Sequence, residues 1–361
     1  MSAATAMPTN TPSLFKRWFT PKYVTYLLMG LFLSLSLAAF VFANNQKPRI
    51  LVLQSYDLDY TWSRDINSAI DRALLGKRYL IRKHYMDTKR QTDREFAEKA
   101  GIIARRIIDE WRPTILIAVD DDAQRYAAKF YTNRDDMKVV FAGINGEIKP
   151  YGYDTANNAT GILERKQFGA VRDVMIEAAR GRQGRLLRFA NIGDQSGSVK
   201  EDTLHMEEFD WKPASMVSST LVRTFDEWQD AVRKANKEAD FIVTTNYRRL
   251  EYSKTDRRPV PPKEVVEWTE NNSTIPVIGT NGFYVEDGGG FAIGTSPFEQ
   301  GEVAAEIAIS IIEKGKKTTD IKVESTREFI VYMRPTRMKP HDFDLGKIYE
   351  SFARAMNNYY E

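Results

Sequence analysis

From residue 48 onward, short apolar runs and helix-period stripes alternate along the chain. Residues 49–54 (RILVLQ) form a continuous apolar run, the pattern of a buried strand. In 62–75, Trp62, Ile66, Ala69, Ile70, Ala73 and Leu74 fall on one stripe and predict an amphipathic helix. Residues 79–85 predict a second strand. Thr92-Asp93-Arg94-Glu95 has the spacing of a capping box and opens a helix that ends near Trp111, with Pro113 as its stop. Residues 114–119 (TILIAV) predict a third strand, 121–131 a helix and 138–142 (KVVFA) a fourth strand, and 151–160 (YGYDTANNAT) reads as a polar connector.

A second series follows. It predicts a helix over 167–180, strands over 185–192 and 216–222, a helix over 225–235 and a strand over 240–245 (DFIVTT). After a polar, Pro-rich loop, 262–271 predicts a short helix with Pro at its first position, where a missing N–H costs nothing. Strands over 275–279 and 291–294 precede a long helix over 298–314, with Val303, Ala304, Ile307 and Ile311 as its apolar stripe. Strand–helix alternation with continuously apolar strands predicts parallel sheets covered by helices on both faces. Two such series joined by polar segments predict two lobes and a cleft. Residues 344–360 predict a terminal amphipathic helix with Leu345, Ile348, Tyr349, Phe352 and Met356 on one side, suited to packing on its own lobe or docking a partner.

The first 43 residues break the pattern. Lys16, Arg17 and Lys22 precede 21 residues without a charge, 23–43 (YVTYLLMGLFLSLSLAAFVFA), and polar Asn44-Asn45-Gln46 follows. A basic start, an apolar run and the small-residue end Val41-Phe42-Ala43 form the pattern of a secretory signal. The run is also long enough to anchor the chain in a bilayer, which takes about 20 residues. In either case the remainder is exported, because the basic flank stays inside.

Charge sharpens this picture. The chain carries 52 Lys and Arg against 49 Asp and Glu, and the surplus of three lies wholly within residues 1–43. The exported part is neutral overall, so nothing in its net charge points to nucleic acid. The absence of Cys excludes a disulfide scaffold, thiol catalysis and cysteine-ligated metal. His84, His205 and His341 are far apart and match no zinc spacing, and neither a Gly-x-Ser-x-Gly nor a phosphate-binding loop occurs. No cofactor, metal or catalytic residue is predicted.

In open parallel sheets, ligands bind beyond the carboxyl ends of the strands. That rule selects Ser55 and Tyr56, with Trp62 as an apolar wall or a core residue. It also selects Asp120, Asp121 and Asp122, then Gly143 with Asn145. In the second series it selects Gln195 and Ser196, Asn246 and Tyr247, and Asn281 with Phe283. The set is polar, hydrogen-bonding and aromatic, and suits a small polar organic ligand. The three aspartates lack the spacing of a calcium loop; they cap a helix, and one of them can meet a cationic group such as an amine. Asn145 either donates to the ligand or holds the turn. Gln195 and Ser196 either cap a helix or lead into one whose free N–H groups hold a carboxylate. Arg248-Arg249 and Arg257-Arg258 read as a solvated face, and Gly288-Gly289-Gly290 as a turn or hinge.

Three stretches carry a family resemblance: 50–62 (ILVLQSYDLDYTW), 85–90 (YMDTKR), and 117–145 with Asp120-Asp121-Asp122-Ala123 and Phe141-Ala142-Gly143-Ile144-Asn145. Pro262-Lys263-Glu264-Val265-Val266, Phe283-Tyr284-Val285-Glu286-Asp287-Gly288 and Glu299-Gln300-Gly301-Glu302-Val303 extend it. Together, over roughly residues 48–335, the chain resembles the periplasmic substrate-binding proteins of ABC importers. Where relatives often carry His-Ser-Tyr-His at the first turn, this chain has Gln54-Ser55-Tyr56-Asp57. The resemblance implies an α/β, two-lobed type I periplasmic-binding-protein fold, with two parallel sheets flanked by helices and a three-stranded hinge. It implies a signal or anchor over 1–43, one lobe from 48–160 plus 297–320, another from 161–293 plus 326–335, and a terminal helix over 340–361. It further implies a non-enzymatic, periplasmic protein, tethered through 23–43 if the signal is uncleaved. Such a protein captures a small-molecule solute, with an amino acid as one candidate, and delivers it to an ABC permease. A ligand sensor working with a separate membrane histidine kinase or cyclase would use the same cleft.

Overall fold

The structure is a computed structural model that describes residues 21–91, 93–179 and 186–361. It opens with helix α1 (Pro21–Asn45), long and apolar enough to cross a membrane, with a mean hydropathy of 2.2 and no buried residues in its apolar window. The basic residues Lys16 and Arg17 of the sequence pattern lie outside the described residues.

The body is then built in chain order as β1 (Arg49–Gln54), α2 (Thr61–Ala73), β2 (Leu80–Tyr85), α3 (Arg94–Trp111), β3 (Ile115–Val119), α4 (Asp120–Tyr126), β4 (Lys138–Ile144) and β5 (Ala159–Leu163). There follow α5 (Phe168–Ala178), β6 (Leu187–Asp194), α6 (Gly197–Glu208), β7 (Ala214–Val222), α7 (Phe225–Glu238), β8 (Phe241–Thr244), α8 (Pro262–Asn272), β9 (Val277–Gly279), α9 (Phe283–Glu286) and β10 (Phe291–Thr295). The chain closes with α10 (Pro297–Lys314), β11 (Glu324–Ser325), β12 (Phe329–Met333), α11 (Pro335–Met338) and α12 (Lys347–Ala355).

The strands form two six-stranded sheets, ordered β11-β5-β4-β3-β1-β2 and β12-β10-β9-β8-β6-β7. In the first sheet β1, β3, β4, β5 and β11 pair in parallel; in the second β7, β6, β8, β9 and β10 do so, and β12 is an antiparallel edge. In both sheets the first strand of the series lies inside the second, so the strand order reverses there and opens a crevice at its carboxyl end. The strands run apolar because both faces are covered: Ile50, Leu51, Val52 and Leu53 of β1 and all of β3 are fully buried.

The chain passes between the sheets after β5, after β10 and after β11. Gln300 holds these passages together. Fully buried at the start of α10, it accepts from the Gly143 N–H (2.7 Å) and donates to the Thr326 hydroxyl (2.7 Å). Glu299 accepts from the Arg327 and Glu328 N–H groups beside it.

Four expectations change. The segment 151–160, read as a polar connector, packs inside: Tyr151 and Tyr153 are buried, their hydroxyls donate to Asp121 and Gln124, and β5 begins at Ala159. β5 pairs with β4, so the first passage between sheets falls after residue 163 rather than at 160. The cap of α3 is Asp93, whose carboxylate accepts from the Phe96 N–H (3.1 Å), so the helix starts at Arg94; Thr92 lies outside the described residues. The terminal helix is only 347–355. The chain turns back at Asn357 (φ +57°) so that Tyr359 bridges Met333 of β12. Its predicted stripe divides: Leu345 and Tyr349 pack on the second lobe's core, while Ile348, Phe352 and Met356 are exposed.

Candidate functional site

A cleft with a cavity volume of about 250 Å³ lies at the carboxyl ends of both sheets, walled by residues of both. On the first-sheet side the wall starts where β1 ends. The Ser55 hydroxyl donates to the Val119 carbonyl (2.6 Å) and accepts from the Ala123 N–H (2.7 Å). It thereby ties β1 to β3 and the start of α4, and is itself fully buried behind the cleft. Tyr56, the next residue, lines the cleft, with Tyr60 edge-on to it (centroids 5.3 Å apart) and the Lys89 ammonium 4.9 Å above its ring.

Asp120 lies at the junction of β3 and α4 in the left-handed region (φ +65°), a strained conformation that Asp tolerates better than most residues. That geometry turns its side chain into the cleft. Its Oδ1 accepts from the Trp62 indole N–H (3.0 Å), and among the described residues its buried Oδ2 has no hydrogen-bond partner. Gly143 makes room for it: a Cβ there would lie 2.7 Å from the Asp120 Oδ1, and Gly143 itself sits at φ +69°. Burial, and then the charge of Glu164, hold the Asp120 carboxyl well above the ordinary carboxylate range. Asp121 instead points into the structure, accepting from the Tyr151 hydroxyl (2.6 Å) and the Asn145 N–H (3.2 Å). Asn145 lines the cleft. Asp122 pairs loosely with Arg125, 3.5 Å away.

On the second-sheet side, the Asn246 side chain accepts from the N–H groups of Tyr247 (2.8 Å) and Arg248 (3.0 Å). It shapes the turn after β8 and lines the cleft. Tyr247 lies beneath the wall, 1% exposed, with its hydroxyl donating to Asp287 (2.7 Å) and its ring against Phe283. Phe283 faces the cleft and carries the Arg248 guanidinium 4.3 Å over its ring. Asn281 donates to the Thr245 carbonyl and accepts from the Lys166 ammonium (2.7 Å). Gln195 is exposed and bonded to the Leu221 carbonyl, outside the cleft. Ser196 precedes α6 without capping it, and the cleft is lined instead by Ser198, Val199 and Asp202 one turn on.

At the first passage between sheets, Lys166 pairs with Glu164 at 2.9 Å, both side chains less than a tenth exposed. Burial works to lower the Lys166 pKa, but Glu164 and Asp202 more than offset it, so the ammonium stays charged. Asp202 is pushed up to about 7 by burial, against the pull of Lys166. The cleft therefore combines a buried ion pair, two carboxyls that resist ionisation, and a set of rings from Tyr56, Tyr60, Trp62, Phe283 and Tyr332.

Of the residues selected from the sequence, Tyr56, Trp62, Asp120, Asn145, Asn246, Asn281 and Phe283 meet in the cleft. Ser55, Asp121 and Tyr247 support it from behind, and Gln195 and Ser196 do not line it. Arg248, read as part of a solvated face, is a correction. It is only partly exposed and bonded to Asp287 (2.8 Å), while Arg249, Arg257 and Arg258 are exposed. Sequence reasoning missed Lys89, Glu164, Lys166, Asp202, Asp65 and Glu286. The first four sit on a loop, at the passage and on a helix face, where no strand-end rule points. Asp65 and Glu286 lie on α2 and α9, within families of charged positions that look like ordinary surface.

Residues 216–342 match the family described as ABC transporter substrate binding protein. In fold, the chain is similar to the ligand-free, open structure of a substrate binding protein with adhesive properties from Clostridium difficile. That match has 14% identity and a TM-score of 0.59, and covers 83% of this chain and 96% of that one. It is also similar to the ABC domain in complex with L-Trp from Streptococcus pneumonia, at 14% identity and TM-score 0.56, over 84% of this chain and 98% of that one. A conserved domain protein from Vibrio cholerae matches at 12% identity and TM-score 0.56, over 85% of this chain and 98% of that one. No curated protein matches in sequence. At these identities the likeness is one of fold. It bears out the two-lobed type I periplasmic-binding architecture and, with the family match, the resemblance seen in the sequence.

Proposed function

We propose that this chain, matched to the ABC substrate-binding family across most of its second sheet, is an exported solute-binding protein. It closes its two lobes over a small polar organic solute and hands it to an ABC permease. The lobes are the first sheet with α10 and the second sheet with the terminal helix. The observation that carries the reading is Asp120: a buried carboxyl in a strained backbone at the cleft wall, with one oxygen held by Trp62 and the other buried without a donor among the described residues. A buried acceptor left unmade costs about 1–3 kcal/mol, which a donor on the solute recovers. An ammonium is the group that fits best, because it satisfies the oxygen and stabilises the charged form together. Amino acids and simple amines both carry one, and the Streptococcus relative in the same fold was solved with L-Trp.

Ligand binding favours the closed form only to the extent that the solute touches both lobes at once. Tyr56, Trp62, Asp120 and Asn145 from one side and Asn246, Asn281 and Phe283 from the other provide that bridge. Helix α1 serves as the export signal or as a tether that keeps the protein near its permease. No reaction is assigned to the cleft. The test is mass spectrometry of solute released from purified protein, followed by a thermal-shift screen of amino acids, amines and small acids. A solute that binds the folded state raises the melting point. If none does, and Tyr56→Ala and Asn246→Ala proteins behave like the wild type throughout, the proposal fails.

A further inference from the structure

The cleft is lined by more acids than bases. Its lining includes Asp59, Asp65, Asp120, Glu164, Asp202 and Glu286 against three bases, Lys89, Lys166 and Arg248. Two of those bases are already committed. Lys166 bonds Glu164 and Asn281, and Arg248 bonds Asp287. Lys89 lies against the rings of Tyr56 and Tyr60. A surplus of acids, with two of the three bases already committed, is a poorer seat for a carboxylate than for a cation.

The acids also fall into two groups. The inner group is Asp120 with Glu164 and Asp202; each of the two aspartates lies in the field of Glu164. The outer group is Asp65, on α2 of the first lobe, and Glu286, on α9 of the second. Both carboxyls line the cleft, one from each side. Burial raises both; at Glu286 the Arg248 guanidinium opposes the rise and the charges of Asp287 and then Asp65 add to it, while Arg64 lies 3.7 Å from Asp65. Tyr332 lies in the field of both. Trp62 and Phe283 complete the apolar wall.

We propose that the cleft takes an organic dication, an aliphatic diamine or polyamine, with one ammonium on Asp120 and the other between Asp65 and Glu286. The inference rests on the solute-binding reading and names its substrate class. The methylene chain packs against the rings, which attract each ammonium as well. The outer site also explains how such a solute would drive closure. Two like charges on opposite lobes resist approach, and a cation between them turns that repulsion into attraction. A zwitterionic amino acid would bring its carboxylate into an acidic field wherever its amine is seated on Asp120.

The experiment is calorimetric titration of the purified protein at low salt with 1,4-diaminobutane, spermidine, butylamine and L-tryptophan. The expected result is that the diamine or spermidine binds at least about tenfold more tightly than butylamine, a difference of about 1.4 kcal/mol. Glu286→Gln, and independently Asp65→Asn, should bring diamine affinity down to that of butylamine, with folding of each variant checked by its melting curve. Asp230→Asn, on the exposed far face of α7, serves as the control and should change nothing. Equal affinity for butylamine and diamine overturns the proposal. So does binding of L-tryptophan without binding of diamines, which leaves the solute-binding reading intact. No heat with any probe, together with no co-purifying solute, removes both.

Discussion

Replacing Asp120 by Asn changes a single atom type and isolates the charge of the inner site. Asn keeps the Oδ1 acceptor for Trp62 and tolerates the left-handed backbone at φ +65°. What it removes is a carboxyl whose burial raises its pKa well above 3.8 in the folded state. The unfolded chain gives up this proton near its ordinary pKa, while the folded chain holds it to higher pH. The wild type therefore loses stability as pH rises from about 4 towards the folded pKa, and the loss is constant above it. The Asn protein carries no such loss, so the difference in melting temperature should move in its favour between pH 4 and pH 7. A buried group left unsatisfied costs about 1–3 kcal/mol. At roughly 2 °C per kcal/mol for a chain of this size, that is a relative gain of about 2–6 °C. Titration with 1,4-diaminobutane should show the opposite sign. Loss of a charge-assisted hydrogen bond of about 1.5–3 kcal/mol weakens binding by roughly 10–150-fold. The assay is differential scanning fluorimetry across pH, paired with calorimetry at pH 7. A melting difference that stays flat with pH, or moves against Asn, would show that Asp120 is ionised and satisfied in the folded cleft, and the reasoning about its free oxygen would be wrong.

Other variants test the supports of the cleft. Gly143→Ala places a Cβ 2.7 Å from the Asp120 Oδ1 on a left-handed backbone, and should cost about 2 kcal/mol or more in guanidinium unfolding. Lys166→Met leaves Glu164 buried and unpaired, and should cost about 3–5 kcal/mol. Adding Glu164→Gln should return most of that, and a double-mutant cycle that shows no coupling would refute the pairing. Asp202, pushed up to about 7, should give the wild type a loss of stability between about pH 4 and pH 7 that Asp202→Asn lacks, read as converging melting points towards pH 4.

The elements that carry the cleft are legible in the sequence because they are local. A continuous apolar run such as RILVLQ or TILIAV has no alternative to a strand buried on both faces, and the polar residue that follows it must lie at the strand's carboxyl end. That is why Tyr56, Asp120, Asn145, Asn246 and Asn281 were found without any structure. Polarity misleads where polar groups are buried and satisfied. Asn158, in the segment that reads as a polar connector, is fully buried and donates to the carbonyls of Tyr131 and Met137. Its neighbours Tyr151 and Tyr153 bring their hydroxyls to Asp121 and Gln124, so the stretch packs inside and leads into β5. Arg248 shows the same failure in a charged residue: beside Asp287 and over Phe283 it builds the wall, and the pairing partner lies 39 residues away.

The sequence by itself determined the parallel α/β architecture, the apolar leading segment, and the neutrality of residues 44–361, since the surplus of three charges lies within residues 1–43. Periodicity, composition and strand ends are properties of adjacent residues, and they survive without a third dimension. Only the tertiary structure decided which acids and bases share the cleft. Lys166 meets Asn281 across 115 residues, and Glu286 on one lobe is set in the field of Asp65 on the other. The same holds for the state of Asp120 and Asp202: their carboxyls resist ionisation because folding removes water from around them, and which positions lose water is settled by the packing of both lobes.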